Sequence, residues 1–240
     1  MEVKIVLGHA FGDEGKGVTV QYLCKKALDE GKNPLVIRFS GGPQAAHTIQ
    51  NNGISHICSS FGSGVLLGVP TYIAPTAYFD PICAQNEWAE LVNKMGSVND
   101  VPPLYVADDA KVITPYDVIS GRNDAKVIKD GTCGKGIFPT FKRNDTGECE
   151  GFLGDFNSYQ NKLNPKRPLR KLHEIRDYYG AKTDESLENK FLNAINNTFY
   201  KTANSMLPNF YNVLIFGIGS PKSSILSSCE EEPVLRCKEA

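Results

Sequence analysis

Short apolar runs alternate along the chain with glycine-rich turns and with amphipathic stretches of helical period. Lys4-Ile5-Val6-Leu7 reads as a short buried strand, and a glycine-punctuated turn, Gly8 to Gly17, follows it. Val18, Tyr22, Leu23 and Ala27 then recur at helical spacing, with charged residues between them and Gly31 as a stop signal. Leu35-Val36-Ile37-Arg38-Phe39 is a second strand, ended by Gly41-Gly42-Pro43. Strand, glycine turn, helix and strand make a βαβ unit, which implies a parallel sheet covered by helices.

The pattern continues in the same vein. Ile54 to Ser59, Gly64 to Leu67, Thr71 to Ala74, Pro103 to Ala107 and Lys111 to Ile113 read as strands. Pro81 opens a helix that runs to Met95, with Trp88 and Leu91 on one face. Residues 131–147 read as a glycine-rich, basic loop and 165–206 as mainly helical in at least two pieces. Tyr211 to Gly217 is a last buried strand. The expected fold is α/β, a mostly parallel central sheet flanked by helices. It occupies residues 1–219 as a single domain, and 220–240, with Glu230-Glu231-Glu232, form a loosely ordered tail.

Composition narrows the functional classes. Twenty-six Lys plus Arg against 27 Asp plus Glu leave a net charge of −1, which argues against a general nucleic-acid or anionic-membrane binder. No apolar run approaches the roughly 20 residues of a membrane span, and the N-terminus lacks the features of a signal peptide. The seven cysteines are scattered and never spaced C-x-x-C, so neither a zinc site nor a disulfide framework is expected. A reducing, cytoplasmic setting is the expectation.

The chemistry concentrates in the first glycine turn. A glycine loop between a strand and a helix aims backbone N–H groups at an anion, and the helix N-terminus adds partial positive charge. Lys16 adds a full one. The loop resembles a Walker A motif but carries Ala10 and Gly17 where that motif has Gly and Ser or Thr, so no hydroxyl is placed for a metal. Asp13 and Glu14 stand inside it instead. A carboxylate facing a polyphosphate is repulsive unless a metal intervenes or it handles a proton, so Asp13 is a candidate general base and metal ligand. The plainer role for Asp13 is a helix cap.

Gly12-Asp13-Glu14-Gly15-Lys16-Gly17 after a first strand resembles the N-terminal signature of the adenylosuccinate synthetase family. Three further segments match family motifs in order: Gly41-Gly42-Pro43-Gln44-Ala45-Ala46-His47-Thr48, Ser60 to Leu66, and Gly131-Thr132-Cys133-Gly134-Lys135-Gly136-Ile137. The resemblance implies a ligase that joins aspartate to IMP, driven by GTP and Mg²⁺. It assigns Asp13 as the base at N1 of the purine and His47 as the donor that stabilises charge on O6. O6 would attack the γ-phosphorus of GTP, and the amine of aspartate would displace phosphate. It further places nucleotide on Gly12, Glu14, Gly15, Lys16 and Gly17, on Gln44, Ala45, Ala46 and Thr48, and on Cys133, which replaces a threonine. Mg²⁺ would sit on Asp13 and the Ala46 carbonyl. Arg143 is placed with the nucleotide-binding residues too: Lys142 and Arg143 fall near the arginine that family dimers supply across their interface, and the resemblance allows a homodimer. His9, His56 and His173 receive no role.

The family's arginine-rich aspartate loop and its guanine-reading segment have no counterpart, and Phe216-Gly217-Ile218-Gly219-Ser220 lacks the family's glutamine. Three readings follow: a divergent synthetase, a phage-type relative acting on dGMP, and a binding module that kept the phosphate site without catalysis. Intact Asp13 argues against the second. A plain phosphate-loop NTPase is disfavoured by the missing hydroxyl.

Overall fold

The computed structural model describes residues 1–8, 14–124, 134–156, 166–197, 199–203, 211 and 213–217. In chain order its strands and helices are β1 (Glu2–Val6), α1 (Lys16–Asp29), β2 (Pro34–Arg38), β3 (His47–Asn51), β4 (Ile54–Cys58), β5 (Thr71–Ile73), β6 (Tyr78–Phe79), α2 (Pro81–Met95), β7 (Leu104–Ala107) and β8 (Lys111–Val112). They continue with α3 (Pro115–Asn123), α4 (Ile137–Asp145), α5 (Leu153–Phe156), α6 (Arg167–Tyr178), α7 (Glu185–Ile195), β9 (Tyr200–Ala203) and β10 (Val213–Gly217).

Six of these strands form one sheet in the order β1-β10-β2-β5-β7-β9, and every neighbouring pair is parallel. Parallel central strands are buried on both faces and read as continuous apolar runs, as β2 does with all five residues buried. On one face, Val20, Cys24 and Ala27 of α1 pack on Val6, Val36, Val213 and Ile215. The larger core lies on the other face, where Leu91 of α2 and Phe191 and Ile195 of α7 join Leu35, Ile37, Leu104 and Leu214.

The α/β expectation holds, with local differences. The last strand in sequence, β10, is inserted between β1 and β2, so the first βαβ unit skips one position. Gly64 to Leu67, expected as a strand, is a 3₁₀ turn at Val65–Leu67 closed by Gly68 at φ 77°. The loop expected over 131–147 contains α4. Gly134 and Gly136, at φ 59° and 75°, turn the chain into this helix. Its buried face is Pro139, Thr140, Arg143 and Asn144, a helical period whose polar members hid it from an apolar pattern. The stretch 165–206 does hold two helices, α6 and α7, but ends in the edge strand β9.

α2 shows how local sequence sets an element. Asp80 caps it by accepting from the backbone N–H groups of Ile82 and Cys83, both at 3.0 Å, Pro81 takes the first position, and Gly96 at φ 97° ends it.

Candidate active site

Because all six strands run the same way, the chain leaves β1 and β2 at the same edge of the sheet. Ligands of open α/β sheets bind at these carboxyl ends. The turn after β1 delivers Glu14, Gly15 and the start of α1; the turn after β2 delivers residues 39–47. Gly15, at φ 72°, is the α1 N-cap. Gly12 and Asp13 lie outside the described residues, as do Cys133 and the tail from 220 to 240.

The two turns meet. A Cβ added to Gly17 would lie 2.6 Å from the Cβ of His47 and 3.3 Å from the Ser63 hydroxyl oxygen, so His47 rests directly on the first turn of α1. Lys16 is 5% exposed and its ammonium contacts the Glu14 carboxylate at 2.7 Å. Lys16, Arg38, His47, Phe61, Gly62 and Ser63 line a cavity of about 20 Å³. That is room for about one water molecule; Gln44, Ala46 and Thr48 are exposed.

Arg38, which no sequence motif singles out, holds the second turn. It ends β2 and lies in the core, where its guanidinium donates to the carbonyls of Phe61 (3.1 Å), Gly42 (3.2 Å) and Ala45 (3.2 Å). Burial pulls its pKa down from the ordinary arginine value, and the Glu87 carboxylate works in the opposite sense. An arginine keeps its charge even so, and its planar fork fixes three backbone carbonyls from two loops in one plane of donors. Gln44 closes the turn by accepting from the Gly42 N–H at 2.9 Å.

Glu87 of α2 anchors the glycine segment beneath His47. Its carboxylate accepts from the N–H groups of Ser59 (3.1 Å), Ser60 (2.5 Å) and Phe61 (3.2 Å) and from the Ser59 hydroxyl (2.9 Å). His56 Nε2 lies 3.3 Å away. Ligand atoms of His56, Cys58 and Glu87 lie within 4.8 Å of one another. Glu87 is already surrounded by donors, its carboxylate holding the 59–61 backbone, and burial raises the Cys58 thiol above its ordinary value. The cluster is an anchor. It serves the motif at 60–66, whose glycines allow close contact: a Cβ on Gly62 would come 2.5 Å from Val36, and one on Gly64 2.8 Å from Cys24.

The third glycine segment joins the same edge. A Cβ on Gly42 would stand 3.3 Å from Ile137, which begins α4. Arg143, in contrast, is not brought to the cleft. It is fully enclosed, with Nε 2.7 Å from Asp117 and further bonds to the carbonyls of Val112 (2.7 Å) and Cys149 (3.0 Å). The expected nucleotide or cross-interface contact from Arg143 has no support in this geometry; Lys142 beside it is exposed.

Fold and site together define an open parallel α/β protein with a glycine turn, a lysine and a histidine gathered at the carboxyl edge of the sheet. The adenylosuccinate synthetase family model matches residues 5–206, and the chain belongs to that family. It is 33% identical over 168 residues to the adenylosuccinate synthetase of Borrelia turicatae, covering 68% of this chain and 37% of that protein. The Acetivibrio thermocellus enzyme of the same name is 31% identical over 193 residues, covering 77% and 43%. The fully ligated adenylosuccinate synthetase structure from Plasmodium falciparum superposes with a TM-score of 0.68 at 22% identity, over 91% of this chain and 51% of that one. The chain thus spans about half the length of the relatives it matches, or less.

Proposed function

We propose that this chain performs the phosphoryl-transfer chemistry of an adenylosuccinate synthetase-type ligase, joining aspartate to IMP at the expense of GTP. The observation that carries this is the seat of His47 on Gly17, beside Lys16, in a chain whose family match spans both motifs.

In this reading Asp13 takes the proton from N1 of the purine, and His47 donates to O6 as charge builds there. O6 attacks the γ-phosphorus of GTP, the bond to the β,γ-bridging oxygen breaks and GDP leaves, giving a 6-phosphoryl intermediate; the aspartate amine then attacks C6, loses its proton, and expels inorganic phosphate as the C6–O6 bond breaks. Phosphorylation is needed because a purine oxo group is a poor leaving group. Lys16 and the N–H groups of the turn balance charge on the phosphoryl oxygens. Mg²⁺ would be held by Asp13 and the carbonyl of exposed Ala46, hard oxygen donors of the kind this ion prefers; when bound it neutralises phosphate charge. Arg38 keeps Ala46 and His47 in register by holding the neighbouring Ala45 carbonyl.

The test is to incubate the chain with IMP, aspartate, GTP and Mg²⁺ and to follow phosphate release and product. Phosphate released only with all three substrates supports the ligase. Release from GTP alone indicates an NTPase, nucleotide binding without turnover a binding module, and turnover with dGMP in place of IMP a phage-type activity; each of these overturns the reading.

A further inference from the structure

The small cavity beside Gly17 has an apolar floor, which includes Val36 and Phe61, and four polar walls: Lys16, Arg38, His47 and Ser63. The walls differ in what already engages them. The Arg38 guanidinium serves the carbonyls of Phe61, Gly42 and Ala45, and the Lys16 ammonium contacts the Glu14 carboxylate at 2.7 Å. Ser63 is 4% exposed, yet among the described residues no hydrogen bond engages its hydroxyl. A Cβ added to Gly17 would stand 3.3 Å from the Ser63 oxygen and 2.6 Å from the His47 Cβ. The missing side chain of Gly17 therefore leaves Ser63 and His47 beside one shared space.

The Ser63 hydroxyl is held in place by its neighbours. Glu87 binds the N–H groups of Ser59, Ser60 and Phe61, the Gly62 N–H donates to the Thr71 hydroxyl at 2.8 Å, and Gly64 is pressed against Cys24. A buried hydroxyl of this kind needs a partner, and ordered water supplies it where the space is polar and large enough. The cavity, about 20 Å³, exceeds the roughly 10–15 Å³ that one water needs, and its four polar walls cover the two to four partners such a water takes. Two of the walls, Lys16 and Arg38, are cations that can only donate. A water between them turns its oxygen to the cations and its hydrogens to Ser63 and His47.

We propose that Ser63 is a positioning residue for His47: its hydroxyl pins one water molecule in this cavity, and that water donates to a ring nitrogen of His47. The nitrogen that accepts is unprotonated, so the ring proton stays on the opposite nitrogen. The proposal deepens the ligase reading and rests on it only for its kinetic consequence, because a ring in that tautomer presents the N–H that would meet O6.

The test compares the full chain with Ser63→Ala, first without nucleotide. A high-resolution crystal structure of the wild type is expected to show a water within about 3.2 Å of Ser63 Oγ, and that of the variant to lack it. In ¹⁵N-histidine spectra recorded in alkaline buffer, the two ring nitrogens of His47, assigned with His47→Asn, should be well separated in the wild type and drawn together in Ser63→Ala as the tautomers mix. With substrates, kcat should fall about 3- to 10-fold, the worth of one hydrogen bond, while the KM for each nucleotide and the thermal midpoint stay as in the wild type. A merely structural serine would move the midpoint and KM instead. A wild-type cavity without the water, His47 resonances unmoved by Ser63→Ala, or an unchanged kcat in an active chain would overturn the proposal. If the wild type turns over no substrate while water and resonances behave as expected, the ligase reading fails and the link from Ser63 to His47 stands.

Discussion

Gly17 and His47 touch so closely that no side chain fits between them: a methyl group on Gly17 would come 2.6 Å from the His47 Cβ and 3.1 Å from its Cγ. The first helix turn and the second glycine turn are thus registered by the absence of an atom. Gly17→Ala is expected to push His47 off its seat. Overpacking of this kind costs about 1–3 kcal/mol, read as a lower midpoint in thermal denaturation. Turnover should fall by a larger factor than nucleotide affinity if His47 acts, as proposed, on charge that builds during reaction. Wild-type kinetics in this variant would show that the contact does not place His47 for chemistry.

Asp13→Asn should retain much of the nucleotide affinity and lose turnover by about 10²- to 10⁴-fold, the usual worth of a positioned acid or base. Nucleotide binding by calorimetry, beside single-turnover phosphate release, separates the two effects. Near-normal turnover would remove Asp13 from its role.

Arg38→Met removes the fork that holds Phe61, Gly42 and Ala45. Buried acceptors left unpaired cost about 1–3 kcal/mol each. The second turn should loosen, with a raised KM for the purine nucleotide and a lower kcat. Arg38→Lys should fail to rescue, since one ammonium cannot reproduce a planar fork aimed at three carbonyls. Full rescue by lysine would mean that only the positive charge matters.

Glu87→Gln keeps the shape of the carboxylate but turns one oxygen into a donor facing backbone N–H groups. Glu87→Ala leaves the N–H groups of Ser59, Ser60 and Phe61 without their acceptor. A buried donor left unsatisfied costs about 1–3 kcal/mol. Chemical denaturation should rank wild type above Gln and Gln above Ala. Equal stability across the three would mean that another group takes over the three donors.

The glycine motifs and the strands that launch them were legible because both signals are local: a short apolar run, then residues that permit tight backbone. β2, with Leu35 to Arg38 all buried, is such a case. The hairpin of β3 and β4 was half visible. Asn52-Gly53, at φ 47° and 79°, is the turn that such a hairpin favours. But β3 begins at His47, inside a stretch read only for its chemistry. Arg38 and Glu87 could not be assigned from sequence. Each acts on backbone groups 4 to 28 residues away, a relation that exists only once β2, α2 and the 59–62 segment are side by side. The insertion of β10 between β1 and β2 was hidden for the same reason, since no local feature of Val213 to Gly217 names its neighbours.

Arg143 separates a structural from a nucleotide role most sharply. Its guanidinium holds Asp117, and that carboxylate also accepts from the Thr114 N–H and hydroxyl, both at 2.7 Å, and from the Tyr179 hydroxyl at 2.8 Å. One buried pair therefore ties α3, α4 and α6 together. Arg143→Met should destabilise by about 3–5 kcal/mol, because Asp117 is left charged and enclosed. Adding Asp117→Asn should recover part of that loss, since the remaining side chain is then neutral. If Arg143 touched nucleotide instead, the single variant would keep its stability and raise the nucleotide KM. Denaturation midpoints and KM measured on the same preparations decide between these outcomes, and the geometry predicts the stability loss.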